Sequence, residues 1–175
     1  MGDRSGTGLE DTVGMTYLTY HLRPLINEQD TMLDVCCGEC NPTRELPAKI
    51  KIGVDLDLTR LAKIGKTHIP IVYNVAEIGS LFIPRSFDVV MWLDGIEHLE
   101  QAAALYALEA LEGIAKKRIV IFTPNEKMNF EMTLPELQRH KSFWPVKFWE
   151  DRGYKVDARF HTKKTNMLLA VRDVL

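Results

Sequence analysis

Met32-Leu-Asp-Val-Cys-Cys-Gly-Glu-Cys40 and, shortly after it, Gly53-Val-Asp-Leu-Asp57 are the two stretches on which the reading of this chain turns. A short apolar strand runs into a tight turn of small residues. About 20 residues after the first carboxylate, a second strand ends in another carboxylate, which is the layout of a nucleoside-binding crevice in an α/β sheet.

Outward from this pair the chain alternates strand and helix. Upstream, apolar spacing from Met15 to Ile26 is helical and ends near Pro24, a helix placed to lid a pocket, whereas residues 1 to 13 are rich in Gly, Asp, Thr and Ser. That segment is expected to stay mobile until cofactor orders it. Downstream, Thr31–Val35 and Lys51–Val54 read as strands, and only a very short helical turn near Pro42–Leu46 fits between them. Asp57–Lys66 begins with a capping residue and reads as helix, and Ile69–Tyr73 is a β-branched run suited to a third strand.

Ser86-Phe-Asp-Val-Val-Met-Trp-Leu-Asp94 has the continuous apolar character of a central parallel strand buried on both faces. Glu97–Lys116 is the longest expected helix, with Leu99, Ala103, Tyr106, Ala110 and Ile114 as its inward stripe, and Arg118–Phe122 is the fifth strand. Lys116-Lys-Arg118 reads as a solvated helix end. Ser142–Asp151 reads as a helix stopped by Gly153. Tyr154–Phe160 and Asn166–Val171 then alternate like two strands of an antiparallel hairpin.

Bulk properties narrow the partners. At 175 residues the chain has the size of one domain, read as residues 14–175 behind the flexible segment 1–13. A net charge of -2 creates no overall field for nucleic acid or an anionic membrane, so a small molecule is the expected partner. There is no apolar run of membrane-spanning length and no signal-peptide pattern at the N-terminus, so a cytoplasmic location is expected. Oligomeric state is not legible.

The motifs Leu33-Asp-Val-Cys-Cys-Gly38, Gly53-Val-Asp55, Ser86-Phe-Asp-Val-Val90, Ile96-Glu-His-Leu99, Thr123-Pro-Asn125 and His140-Lys-Ser-Phe-Trp144 together resemble the class I S-adenosylmethionine-dependent methyltransferases. Within that class they are similar to small-molecule enzymes of the ubiquinone-biosynthesis type. The resemblance covers nearly the whole chain. It implies a Rossmann-like, doubly wound seven-stranded sheet of order 3-2-1-4-5-7-6, strand seven antiparallel, with helices on both faces.

It also implies roles, residue by residue. Asp34 and Val35 open the first loop, Asp34 organising the methionine amino end, and the backbone of Cys36 to Gly38 lets S-adenosylmethionine approach closely. Asp55 accepts from both ribose hydroxyls and Leu56 packs on the adenine face. Asn74 accepts from the adenine amino group beside the Val75 amide, and Leu93 and Asp94 flank the methionine moiety. Where family members usually carry Gly, this chain has Cys36 and Cys40. Cysteine resists positive φ, at a cost of about 1 kcal/mol or more if either site requires it.

His98 and His140 are the candidate bases for an acceptor that carries a proton, although a single histidine more often caps or packs. Trp144 and Trp149 should border the acceptor pocket, yet aromatics at helical spacing are core more often than substrate platforms, as holds for Phe143 too. Trp92 is read as core.

Two other readings compete with methyl transfer. Cys37-Gly-Glu-Cys40 matches the C-x-x-C of redox and zinc proteins. Only about ten residues lie between it and the next strand, too few at roughly 1.5 Å per residue for the long helix a thioredoxin-like motif opens. Zinc would need further ligands and no second cysteine pair exists, so buried thiols in a tight turn are the expectation and no metal site is assigned. The other rival keeps the fold and drops catalysis: a domain that binds S-adenosylmethionine and acts through a protein partner.

Overall fold

A computed structural model describes residues 9–126, 136–161 and 165–174. Among them, seven strands form one sheet of order β3-β2-β1-β4-β5-β7-β6. The strands are β1 Thr31–Val35, β2 Ile50–Asp55, β3 Ile69–Val72, β4 Phe87–Leu93, β5 Ala115–Pro124, β6 Lys155–His161 and β7 Asn166–Asp173. The first five pair in parallel, while β7 runs antiparallel to both β5 and β6. This is the topology the resemblance implies, including the switch point between β1 and β4, where two crossovers leave in opposite directions and a crevice opens at the strands' carboxyl ends.

Helices α1 Leu9–Leu22, α2 Leu58–Leu61, α3 Gln101–Ile114 and α4 Val146–Asp151 flank the sheet. Leu18 and Leu22 of α1 pack with Met32, Val89, Met91 and Leu93 on one face. Helices α3 and α4 close the other over Leu33, Val35, Val90 and Trp92. Trp92, Trp144 and Trp149 are fully buried, so the last two belong to this core and not to the rim of an acceptor pocket. Trp144 donates its Nε1–H to Ser142 Oγ at 2.8 Å, which satisfies its one polar atom inside.

Several expected boundaries shift. Helix α1 begins before Met15, so residues 9–13 are helical, and residues 1–8 lie outside the described ones. Between β1 and β2 there is no helix: Cys40, Thr43 and Leu46 donate in succession to the carbonyls three residues back, giving a chain of tight turns. Helix α2 ends at Leu61, well short of Lys66, once Asp57 has capped it through Thr59 and Arg60. Helix α3 starts only after a 3-10 turn at Ile96–His98 and ends before the basic run. Its buried stripe is Ala104, Ala107, Leu108, Leu111 and Ile114, and Tyr106 is 63% exposed. Ile114 is buried as expected, whereas phasing from Leu99, which lies outside the helix, puts Ala103, Tyr106 and Ala110 one position before the buried residues. Replacing Leu111 by Ala should destabilise the fold by about 2–5 kcal/mol, measured by denaturant unfolding, since the site is closed on all sides.

The run 116–118 is strand, not helix end. Lys117 pairs with Asp30 at 2.6 Å and Asp88 at 3.2 Å, and Arg118 with Asp173 at 2.6 Å, so these cations fasten the edge opposite the crevice.

Candidate active site

The turn after β1 is built on alternating left-handed residues: Cys36 (φ 53°), Gly38 (φ 52°) and Cys40 (φ 55°). Both cysteines that replace glycine therefore hold the conformation that disfavours a Cβ, a strain of about 1–2 kcal/mol each. The surroundings adapt to their bulk. A Cβ on Gly95 would lie 2.6 Å from Cys36 Cβ and 2.7 Å from Trp92 Nε1, and one on Gly53 would lie 2.9 Å from Cys37 Sγ and 3.0 Å from Cys40 Sγ. Space given up in the turn is returned by glycine on the facing strand and loop. Gly95→Ala should cost about 1–3 kcal/mol in thermal or chemical unfolding. Adding Cys36→Gly should recover only part of that, because the Trp92 contact persists.

Asp55, at the carboxyl end of β2, ties the crevice together. Its Oδ2 accepts from the Gly38 amide at 2.7 Å and its Oδ1 from the Asp57 amide at 2.8 Å. Each oxygen keeps a further lone pair, so both can still accept from a ribose diol. Leu56 beside it is 50% exposed, an apolar side chain half open to solvent. The Arg60 guanidinium overhangs the turn, 3.4 Å from where a Gly38 Cβ would stand. Asn74 caps the 3-10 turn Val75–Ser80: its Oδ1 accepts from Ala76 N–H at 3.1 Å and its Nδ2 donates to Glu77. Val35 and Leu93 are buried strand ends, while Asp94 is exposed with φ 55° and its amide donates to Phe122 O at 2.7 Å.

Asp34 is buried beneath the turn, not open to the crevice. Its Oδ2 accepts from Thr43 Oγ1 at 2.6 Å, and burial raises its pKa to about 7. Cys37 is held far above the ordinary thiol range by contact with the Cys40 thiol and then by burial. The half-buried Cys36 is raised by desolvation and then by Asp55. A dithiol exchange centre requires the opposite, a depressed thiol pKa, so the redox reading loses its chemistry as well as its helix.

Across β4, His98 and His140 come together, their ring centroids 5.0 Å apart. The segment carrying His140 is docked by Lys141 and Ser142 amides, which both donate to Glu97 O, at 2.7 Å and 3.1 Å. Glu97 itself is 1% exposed; its Oε2 accepts from Thr123 Oγ1 at 3.0 Å, and Oε1 is buried with no hydrogen-bond partner among the described residues. Burial, and then the Asp94 carboxylate, push Glu97 well above the usual carboxylate range. Donor atoms of Glu97, His98 and His140 all lie within 4.8 Å of one another, so this trio can shuttle a proton or hold a divalent cation. Sequence reading had named the two histidines but not Glu97 or Thr123. The signal was the repeat of chemistry-bearing residues at both strand ends, Glu97 after β4 and Thr123 in β5.

No family model matches the chain. Among curated proteins, 80 residues are 35% identical to the ubiquinone biosynthesis O-methyltransferase of Rhodopseudomonas palustris (strain HaA2), covering 42% of this chain and 31% of that protein. The match thus spans less than a third of that relative. Among solved structures, a SAM-dependent methyltransferase from Archaeoglobus fulgidus aligns with TM-score 0.66 at 15% identity over 91% of this chain and 94% of its own. Magnesium protoporphyrin IX methyltransferase from Synechocystis PCC 6803, solved with bound SAH, gives 0.69 at 14% identity over 98% and 89%. The 1,6-didemethyltoxoflavin-N1-methyltransferase of Burkholderia thailandensis gives 0.70 at 14% identity over 93% and 79%. The fold is the one these methyltransferases share.

Proposed function

We propose that the protein is an S-adenosylmethionine-dependent methyltransferase that acts on a small-molecule acceptor. The observation that carries this reading is the Gly38 amide to Asp55 carboxylate bond of 2.7 Å, which sets a residue without a side chain and a ribose-accepting carboxylate next to each other at the switch point, with Leu56 exposed beside them. These residues fit an adenosyl group: the carboxylate retains lone pairs for a diol, and the turn bears no side chain at Gly38. The relative named O-methyltransferase supports the reading without extending it to a particular acceptor.

When bound, S-adenosylmethionine supplies a methyl group activated on a sulfonium. The work left to the protein is to align an acceptor lone pair with the methyl–sulfur axis, exclude water and take up the acceptor's proton. Asp55 and the turn at Gly38 fix the adenosyl end, and Asp94 and Leu93 border the methionine end. His98 and His140 stand where the acceptor's proton leaves, with Glu97 and Thr123 beneath them. Because a sulfonium would depart as a neutral thioether, the protein would need no acid for the leaving group, and none of these residues is assigned that role.

A second reading of the acceptor step is favoured by the 4.8 Å convergence of Glu97, His98 and His140. A divalent cation held there would lower the pKa of an acceptor hydroxyl in place of a general base. The test is calorimetry with S-adenosylhomocysteine, followed by turnover of S-adenosylmethionine over a panel of phenols, hydroxy acids and amines, with and without EDTA. Binding with turnover supports the reading, and EDTA sensitivity selects the cation. Binding without turnover on any acceptor would favour the alternative, a domain acting through a protein partner. No binding would end both. Among the described residues no helix is long and apolar enough to cross a membrane.

A further inference from the structure

We propose that Asp34, Cys40 and His68, with Cys37 as the fourth donor, form a site for a thiophilic divalent cation, best met by zinc, behind the turn that follows β1. The four come from three separate segments: Asp34 from β1, both cysteines from the turn, and His68 from the residue preceding β3. One donor atom each of Asp34, Cys40 and His68 converge within 4.8 Å, and all three residues are buried, at 2%, 0% and 5% exposure. Cys37 and Cys40 sulfurs both close on one point above Gly53, where the absence of a side chain leaves room for them. Asp34, Cys40 and His68 make a three-ligand zinc set, and Cys37, whose thiol meets that of Cys40 but stands outside the 4.8 Å group, supplies the fourth ligand, a sulfur, on a turn of its side chain.

Hydroxyl groups hold these donors in place. Thr67 Oγ1 lies 3.1 Å from His68 Nδ1, Thr43 Oγ1 lies 3.2 Å from His68 Nε2, and the same Thr43 hydroxyl donates to Asp34 Oδ2 at 2.6 Å. The imidazole and the carboxylate are thereby fixed beside the Cys40 thiol, and a buried thiol, imidazole and carboxylate brought together from separate segments are the composition of a site for a thiophilic cation. On binding, each thiol gives its proton to solvent as the sulfur–metal bond forms.

The proposal is independent of methyl transfer and of the Glu97 cluster, which contains no sulfur. Its consequence is local: the cation would anchor the turn whose Gly38 amide meets Asp55. The probe is cobalt(II), added to the reduced full chain, with zinc as competitor. One equivalent should produce thiolate-to-cobalt charge-transfer absorption, release protons and be displaced by zinc. Cys40→Ser and His68→Gln should each weaken binding by at least about 100-fold. Circular dichroism checks their fold, and Cys37→Ser takes the place of Cys40→Ser if that variant does not fold. Absence of charge-transfer absorption, or absorption unchanged in the variants, overturns the site. Cobalt binding without that absorption and abolished by Glu97→Gln would put the ion in the other cluster. That outcome would overturn this proposal and leave the methyl-transfer reading standing.

Discussion

Asp55→Ala is expected to lower affinity for S-adenosylhomocysteine by at least about 100-fold, read by calorimetry, while circular dichroism remains native. On the proposed reading, two charge-assisted bonds to ribose hydroxyls, each worth roughly 1.5–3 kcal/mol, would be lost directly. The indirect loss is peculiar to this chain: the same carboxylate accepts the Gly38 and Asp57 amides, so its removal also frees the β1 turn. That turn is already strained at Cys36 and Cys40, both at positive φ, and has less reason to stay in its binding conformation once Asp55 is gone. Asp55→Asn should be nearly as damaging. An amide offers one acceptor oxygen where two backbone donors converge, and its NH2 faces one of them. Affinity unchanged in both variants would remove Asp55 from the site and with it the adenosyl reading.

Much of this was legible because strand ends in a parallel sheet are written in short local signals. Apolar runs ending in Asp34, Asp55 and Asp94 fixed where the crevice lies, and the terminal antiparallel pair followed from alternation in Tyr154–Phe160 and Asn166–Val171. What escaped was long-range. Nothing near Cys40 in sequence announces that His68 and Asp34 approach it, whereas β1 and β2 pairing in parallel, Asp34 opposite Gly53, brings the donors together. The backbone cost of Cys36 was foreseen, but its accommodation by Gly95 depends on a contact between loops of β1 and β4. For Trp144 and Trp149 helical spacing favours core over the pocket rim, and the structure buries both between α4 and the sheet. Asn74 also caps its own turn, its Oδ1 accepting from Ala76 N–H and its Nδ2 donating to Glu77.

Glu97→Ala is expected to cut turnover by about 10²–10⁴-fold with cofactor affinity changed little, because its contacts lie on the acceptor side of β4. Glu97 meets Thr123 through Oε2 and, through its backbone carbonyl, holds the segment that brings His140 to His98. Removing the side chain leaves the Thr123 hydroxyl without its acceptor and opens a void beneath both rings. Glu97→Gln separates the two mechanisms. Burial and the Asp94 carboxylate favour the protonated form of Glu97, so an isosteric neutral amide keeps the Thr123 bond and the void filled. If the histidines act as base and Glu97 only positions them, turnover should stay within roughly fivefold and the pH profile of kcat/KM should keep its histidine limb. If a divalent cation sits among Glu97, His98 and His140, the amide removes an anionic ligand, turnover falls nearly as far as in the alanine variant, and added Mg2+ or Mn2+ restores part of it at high concentration. Full activity in both variants would exclude Glu97 from either role and leave the His98–His140 contact as packing.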